Sequence, residues 1–262
     1  MLSSQRTGNV TQPRDPFAAR APDRPSPTTE ALHAALGPQP GAAICEVACG
    51  AGDGALSFAD QGPVRLVGVD PAPGALGAFA ALAAERSAPV ETVEAFPEQL
   101  PFADGSFDLV VSRLAAHRFR DAGAAVAEMA RLLRPGGRLA VVDLEGHEEP
   151  LVDAFNHALE VLHDPAHQRS YTLAEWIGFL QKEGLNVPVA RGSLAESREG
   201  VPVGRWCEAA GCGAEAEAAI RQRLADAPRR HLDALGIRPV GADFLMPLRA
   251  CLVVGVKPLA DV

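Results

Sequence analysis

Two acidic residues and two glycines are spaced as a nucleotide-binding strand end requires. The run AICEVA over 43–48 ends in Glu46-Val47-Ala48-Cys49-Gly50-Ala51-Gly52. Glycine at 50 and 52 lets the backbone turn sharply and pass close to a ligand, with the amino end of a helix behind it. Asp70 closes the next apolar run, RLVGVD, where its carboxylate can accept both hydroxyls of a ribose. No G-x-x-x-x-G-K-[ST] follows any apolar run, so a phosphate-cradling P-loop is excluded. A nicotinamide fingerprint fits badly, because counting from Gly50 the third glycine position is Ala55.

The elements that must position these residues read as an alternation. Strands are expected over 43–48, 65–70, 90–94, 107–112 and 138–143, with helices over 28–36, 55–60, 73–86 and 122–133. Thr28 or Thr29 would cap the first helix, and Pro135-Gly136-Gly137 would stop the last. Short apolar runs alternating with helices indicate a doubly wound α/β sheet covered on both faces. Past Asp143 the rhythm lapses. Residues 148–182 read as helical, a strand is expected over 186–190, a helix over 214–224 and a long strand over 245–256. The late insertions, about 148–182 and 198–240, are expected to build a cap over the strands' carboxyl ends.

Bulk properties narrow the function classes. The chain has 262 residues, 47% hydrophobic and 22% charged, enough for a sizeable core. Residues 1–27 are polar and proline-rich and read as a flexible arm in which 17–19 could dock a short turn; 28–262 read as one domain. The net charge of −9 argues against nucleic acid or anionic lipid as partner. No stretch is long and apolar enough to span a bilayer. The five cysteines include no C-x-x-C pair, so neither a disulfide framework nor a zinc site is written, and no metal is expected. The expectation is a cytoplasmic protein, monomer or homodimer.

The blocks E-V-A-C-G-A-G, G-V-D-P, L-P-F-A-D-G-S-F-D-L-V-V-S-R and L-L-R-P-G-G-R-L-A-V-V-D span about 43–143 in order. Together they resemble class I S-adenosylmethionine-dependent methyltransferases, above all the small-molecule type 11 branch that includes ubiquinone/menaquinone C-methyltransferases. The resemblance implies a Rossmann-like, seven-stranded, mostly parallel sheet with an antiparallel last strand, a helical cap, S-adenosyl-L-methionine as cofactor and a small-molecule acceptor. It implies that Glu46 holds the methionine ammonium and that Ala48, Gly50 and Gly52 shape the turn around the methionine and ribose. It further implies that Asp70 binds the ribose, Pro71 borders the adenine, and Ser112 and Arg113 lie under the methionine moiety. The bend D-P-A-H-Q-R over 164–169 with Glu175-Trp176 resembles a bacterial subgroup of mostly unassigned substrate.

Three positions depart from the family pattern. Ala48 replaces the first glycine of the turn. Phe96 stands where an aspartate commonly reads the adenine amino group, and Pro97, which has no N–H, where an amide commonly donates to it. Each lost hydrogen bond costs ~1 kcal/mol, so the two together would weaken binding roughly tenfold or more; Phe96 can compensate by packing on the purine. Methyl transfer needs an aligned nucleophile and a dry site, and a base only where the nucleophile carries a proton. His117 is the candidate base, with a hydrogen-bonded loop histidine as the alternative. Asp143 is the candidate to orient it or the substrate, with a helix-leading cap as the alternative. His163, His167 and Arg169 are candidate substrate contacts, or parts of a helix-ending bend. Use of the bound sulfonium for cyclisation or decarboxylation, and a non-catalytic binding protein with a decayed pocket, are the competing functions.

Overall fold

Residues 25–37, 39–52 and 54–259 are described by the structure, a computed structural model. The arm expected over 1–27 lies outside the described residues as far as 24, as does the docking turn at 17–19. The chain runs α1 (Pro27–Leu36), β1 (Ala43–Val47), a 3-10 turn (Ala55–Gln61), β2 (Arg65–Asp70), α2 (Pro73–Glu85), β3 (Glu91–Glu94) and β4 (Phe107–Arg113). A second 3-10 turn (Ala116–Arg118), α3 (Ala122–Leu132), β5 (Leu133–Leu144), α4 (Pro150–His163), α5 (Leu173–Lys182) and β6 (Asn186–Ala195) follow. The chain ends with β7 (Val201–Pro202), α6 (Val203–Ala210), α7 (Gly213–Ala225), α8 (Arg229–Leu235), β8 (Arg238–Val240), β9 (Asp243–Met246) and β10 (Arg249–Val256).

The main sheet has seven strands in the order β3-β2-β1-β4-β5-β10-β6. β1 pairs in parallel with β2 and β4, and β10 runs antiparallel to both β5 and β6. This is the Rossmann-like, mostly parallel sheet with an antiparallel last strand. Alternate residues feed two cores. Cys45, Val47 and Val110 face Met129 of α3 and Trp176 of α5, while Ile44, Leu109 and Val111 face Leu32 of α1, Phe58 and Phe79 of α2. Strand order reverses between β1 and β4, and the crevice outside their carboxyl ends is where such sheets take ligands.

A third core sits apart from the sheet. Val152 and Leu159 of α4 pack with Trp206, Ile220, Leu232 and Met246, from α6, α7, α8 and β9. This cap carries a three-stranded sheet, β7-β9-β8, in addition to its helices. α5 instead buries Trp176 and Leu180 against the main sheet.

Local expectations differ at five points. The helix expected over 55–60 is a 3-10 turn, Ala55–Gln61. Ser26, not Thr28 or Thr29, caps α1: its extended backbone lets Oγ accept from Thr29 N at 3.1 Å, with Pro27 in the first turn. The long strand expected over 245–256 is two strands in different sheets, broken where Pro247 lacks an N–H and Leu248 adopts φ +51°. β6 runs on to Ala195, paired with β10. β5 starts at Leu133 with no separate loop after α3, and a register shift against β4 absorbs Pro135-Gly136-Gly137.

Candidate active site

The carboxyl ends of β1, β2, β4 and β5 deliver Glu46, Asp70, Arg113 and Asp143 to the same side of the sheet. A cavity of about 790 Å³ lies there, bounded below by strand ends and above by the cap. At its β1 end the backbone of Ala48 and Gly50 is left-handed, φ +56° and +52°. A Cβ on Gly50 would meet nothing within 4 Å, so this residue opens onto the cavity. Gly52 has a different reason to be glycine: a Cβ there would lie 1.9 Å from Phe79 Cδ2. It serves packing against α2 and does not line the cavity.

Backbone donors fix both carboxylates. Glu46, buried, accepts from Gly54 N at 3.1 Å and Ala55 N at 2.7 Å, the amino end of the first 3-10 turn. Gly54 permits this, because a Cβ there would sit 2.2 Å from Glu46 Oε1. Asp70 Oδ2 accepts from Gly50 N at 3.1 Å and Oδ1 from Ala72 N at 2.9 Å. Each Asp70 oxygen keeps a further lone pair. Pro71, Phe96 and Pro97 complete this end; Phe96 is half-exposed, with the Arg120 guanidinium carbon 4.9 Å from its ring centre. Cys49 also lines the cavity, but burial pushes its thiol well above the usual range, so it stays protonated.

His117 stands on the 3-10 turn after β4 and lines the same cavity. Its Nδ1 lies 2.7 Å from Oδ1 of Asp143, and both side chains are buried. The backbone carbonyl of His117 accepts from Gln168 N at 2.8 Å and Arg169 N at 3.1 Å, which pins the 164–169 bend beneath the cap. His167 stacks on His117, ring centres 5.4 Å apart, and neither of its nitrogens has a hydrogen-bond partner among the described residues. Burial drives its pKa down to about 3, so the ring is neutral.

The cap wall is built from α4 and α6. His163 stacks on Trp206 with ring centres 3.9 Å apart, and its Nε2 lies 3.1 Å from the Trp206 carbonyl. Burial lowers His163 to about 4 and raises neighbouring Glu160 to about 7. On the opposite side Arg113 donates to Ser26 Oγ at 3.1 Å and Glu196 Oε1 at 2.8 Å, tying β4 to the start of α1 and the end of β6.

Most of the residues singled out from sequence therefore meet in one place: Glu46, Ala48, Gly50, Asp70, Pro71, Phe96, Pro97, Arg113, His117 and His163 line the cavity, and Asp143 holds His117. Besides Gly52 and Asp143, three do not line it. Ser112 is buried on the same strand face as Val110, towards α3 and α5, because alternation along β4 turns it from the face that carries Arg113. His167 lies behind His117. Arg169 is exposed, paired with Glu175 at 2.5 Å and laid over Tyr171. Sequence reasoning missed Glu160, Glu196 and Trp206. Glu160 and His163 are three apart and so share a helix face, but which face looks inward is set by the cap's packing. Among the described residues no cluster of His, Cys, Asp or Glu could hold a metal ion.

Comparison with known proteins agrees with this geometry. Residues 45–141 match the Methyltransf_11 family, described as Methyltransferase domain. The uncharacterized methyltransferase YcgJ of Bacillus subtilis is 31% identical over 219 residues, covering 82% of this chain and 84% of YcgJ. Its crystal structure superposes with a TM-score of 0.78 at 28% identity, covering 88% of this chain and 98% of that one. The uncharacterized protein YafE of Escherichia coli is 41% identical over 98 residues, 37% of this chain and 47% of YafE. A demethylmenaquinone methyltransferase of Thermus thermophilus is 39% identical over 101 residues, 38% and 46% of the two chains. The chain thus spans about half the length of YafE and of the Thermus enzyme, and most of YcgJ. With a matching domain, a relative aligned over most of both chains and a shared fold, the chain belongs to the class I S-adenosylmethionine-dependent methyltransferase family, in its type 11 branch.

Proposed function

We propose that the cavity binds S-adenosylmethionine along the ends of β1 and β2 and a small-molecule acceptor against the cap, and that the protein methylates that acceptor. One observation carries the reading: a single cavity holds the Glu46–Gly50–Asp70 ledge at one end and a histidine anchored through Nδ1 on its wall. The ledge fits the cofactor. Asp70 is held by two backbone amides with lone pairs to spare for a ribose diol, and Gly50 leaves open space where a side chain would intrude. Glu46 is positioned for the methionine ammonium, and Phe96 presents an apolar ring at the purine end. The relative named for demethylmenaquinone supports a small-molecule acceptor.

When bound, S-adenosylmethionine supplies an electrophilic methyl carbon on a sulfonium. The chain's own contribution is alignment, exclusion of water and control of one proton. The Asp143 carboxylate accepts from His117 Nδ1–H, which leaves Nε2 as the basic nitrogen facing the cavity. Nε2 takes the proton of an acceptor hydroxyl or amine, and Asp143 stabilises the imidazolium that results. The apolar side chains of Leu114, Phe119, Leu144 and Leu248 shield the reacting atoms. Incubation with methyl-labelled S-adenosylmethionine and a panel of phenols and amines tests the reading. The expected result is an acceptor heavier by one methyl group, released with S-adenosylhomocysteine and lost in His117→Gln. Unchanged acceptor mass with turnover of the cofactor would contradict methyl transfer.

A further inference from the structure

Glu160 and His163 form a second polar feature of the cavity that the reading above does not use. Both are buried, both line the cavity, and both belong to α4, one turn apart. The carbonyl of Trp206 can only accept, so His163 Nε2, 3.1 Å away, carries the ring proton. With the ring neutral in its stack against Trp206, Nδ1 is a bare acceptor. It faces Glu160 Oε2 across 3.9 Å. That separation is beyond hydrogen-bond reach, and a neutral imidazole forms no ion pair, so once Glu160 is ionised, above pH 7, the contact is two acceptors with no proton between them. Burial sets the state of both groups, pulling His163 down to about 4 and Glu160 up to about 7. Neither atom is fully enclosed: both open onto the cavity, where a ligand's donor can come between them and displace water.

We infer that Glu160 Oε2 and His163 Nδ1 form an acceptor-only subsite that takes a hydroxyl or N–H of the substrate, distinct from the group that loses its proton to His117. The proposal rests on the methyltransferase reading for the identity of the site, and it narrows the substrate class. The acceptor is a largely apolar molecule with two donor groups, one beside His117 and the other under the cap. A buried pair of acceptors rejects an ether at the second position, because nothing then satisfies them.

The test uses calorimetry at pH 8, where Glu160 is ionised, on protein saturated with S-adenosylhomocysteine, with 2,6-dihydroxynaphthalene and its dimethyl ether as probes. The diol is expected to bind at least about tenfold more tightly than the ether. Glu160→Met removes the carboxylate acceptors from α4, and the preference falls below about twofold. His163→Phe keeps the stack on Trp206 but removes Nδ1, and loses the preference too. Equal binding of the probes, no binding of either at millimolar concentration, or a preference that survives both substitutions would overturn the subsite. S-adenosylhomocysteine binding, measured separately in the same samples, reports on the cofactor reading. If it fails, the probes are titrated into the free protein, and the same diol preference still decides the subsite.

Discussion

At the scale of single residues, chemistry and packing can be separated by substitution. Gly50 and Gly52 look alike in sequence, yet Gly50 faces open space and Gly52 faces Phe79 at contact distance. Gly50→Ala is expected to cost only the left-handed strain of ~1–2 kcal/mol. Gly52→Ala should cost ~3 kcal/mol or more by overpacking α2. Denaturant midpoints of the two variants check this; equal losses would contradict the assignment. His117→Gln should lower methyl transfer about 100-fold or more while leaving S-adenosylhomocysteine affinity unchanged, because the base acts only on the acceptor. A matched loss of cofactor binding would place His117 elsewhere in the mechanism. Glu46, Asp70, His117 and Asp143 were legible because each ends or follows an apolar run, and strand ends converge in this sheet. Glu160 and Trp206 were not, since a helix offers several faces and only the cap's packing selects one. Ser112 and Arg113 show the limit at one-residue resolution: adjacent on β4, they point to opposite faces.

At the scale of elements, β1 to β5 and the helices between them were readable from apolar runs bounded by glycine, proline and polar turns. The late region was readable in part: α4, α5, β6 and α7 were expected, while β7 and β8 were not, because they are short and pair within the cap. Pro247 was visible, but an apolar run on either side of it masked the break between β9 and β10. α1 illustrates how an element secures the site. Ser26 caps it and also accepts from Arg113, while Thr28 donates to Glu196, so the first turn is hydrogen-bonded to the cavity wall. Ser26→Ala should therefore destabilise the protein by about 1–2 kcal/mol, more than an ordinary cap mutation at the surface. An unchanged denaturant midpoint would show that α1 is not fastened through this residue.

At the scale of the whole molecule, the cavity joins a nucleotide-type ledge on the sheet to a cap with its own core, and buried titratable groups line the seam. His163 and His167 have folded-state values of about 4 and about 3, below the ordinary 6.5. The stability they contribute is present above pH 6.5 and is lost as pH falls through those values. Glu160, raised from 4.5 to about 7, behaves in the opposite sense: its contribution is full below 4.5 and is lost as pH rises through 7. Glu160→Gln should therefore gain on the wild type by on the order of 3 kcal/mol between acid and mildly alkaline pH. Melting temperatures of both proteins across that range check this, and parallel pH profiles would refute it. The central claim is that the ledge at the ends of β1 and β2 holds S-adenosylmethionine although Phe96 and Pro97 stand at the purine end. Calorimetric titration of the protein with S-adenosylmethionine and S-adenosylhomocysteine, beside Asp70→Ala, tests it most directly. Micromolar binding of both ligands, weakened about 100-fold or more by the substitution, is the predicted result. No binding at millimolar ligand, or binding indifferent to Asp70, would contradict it.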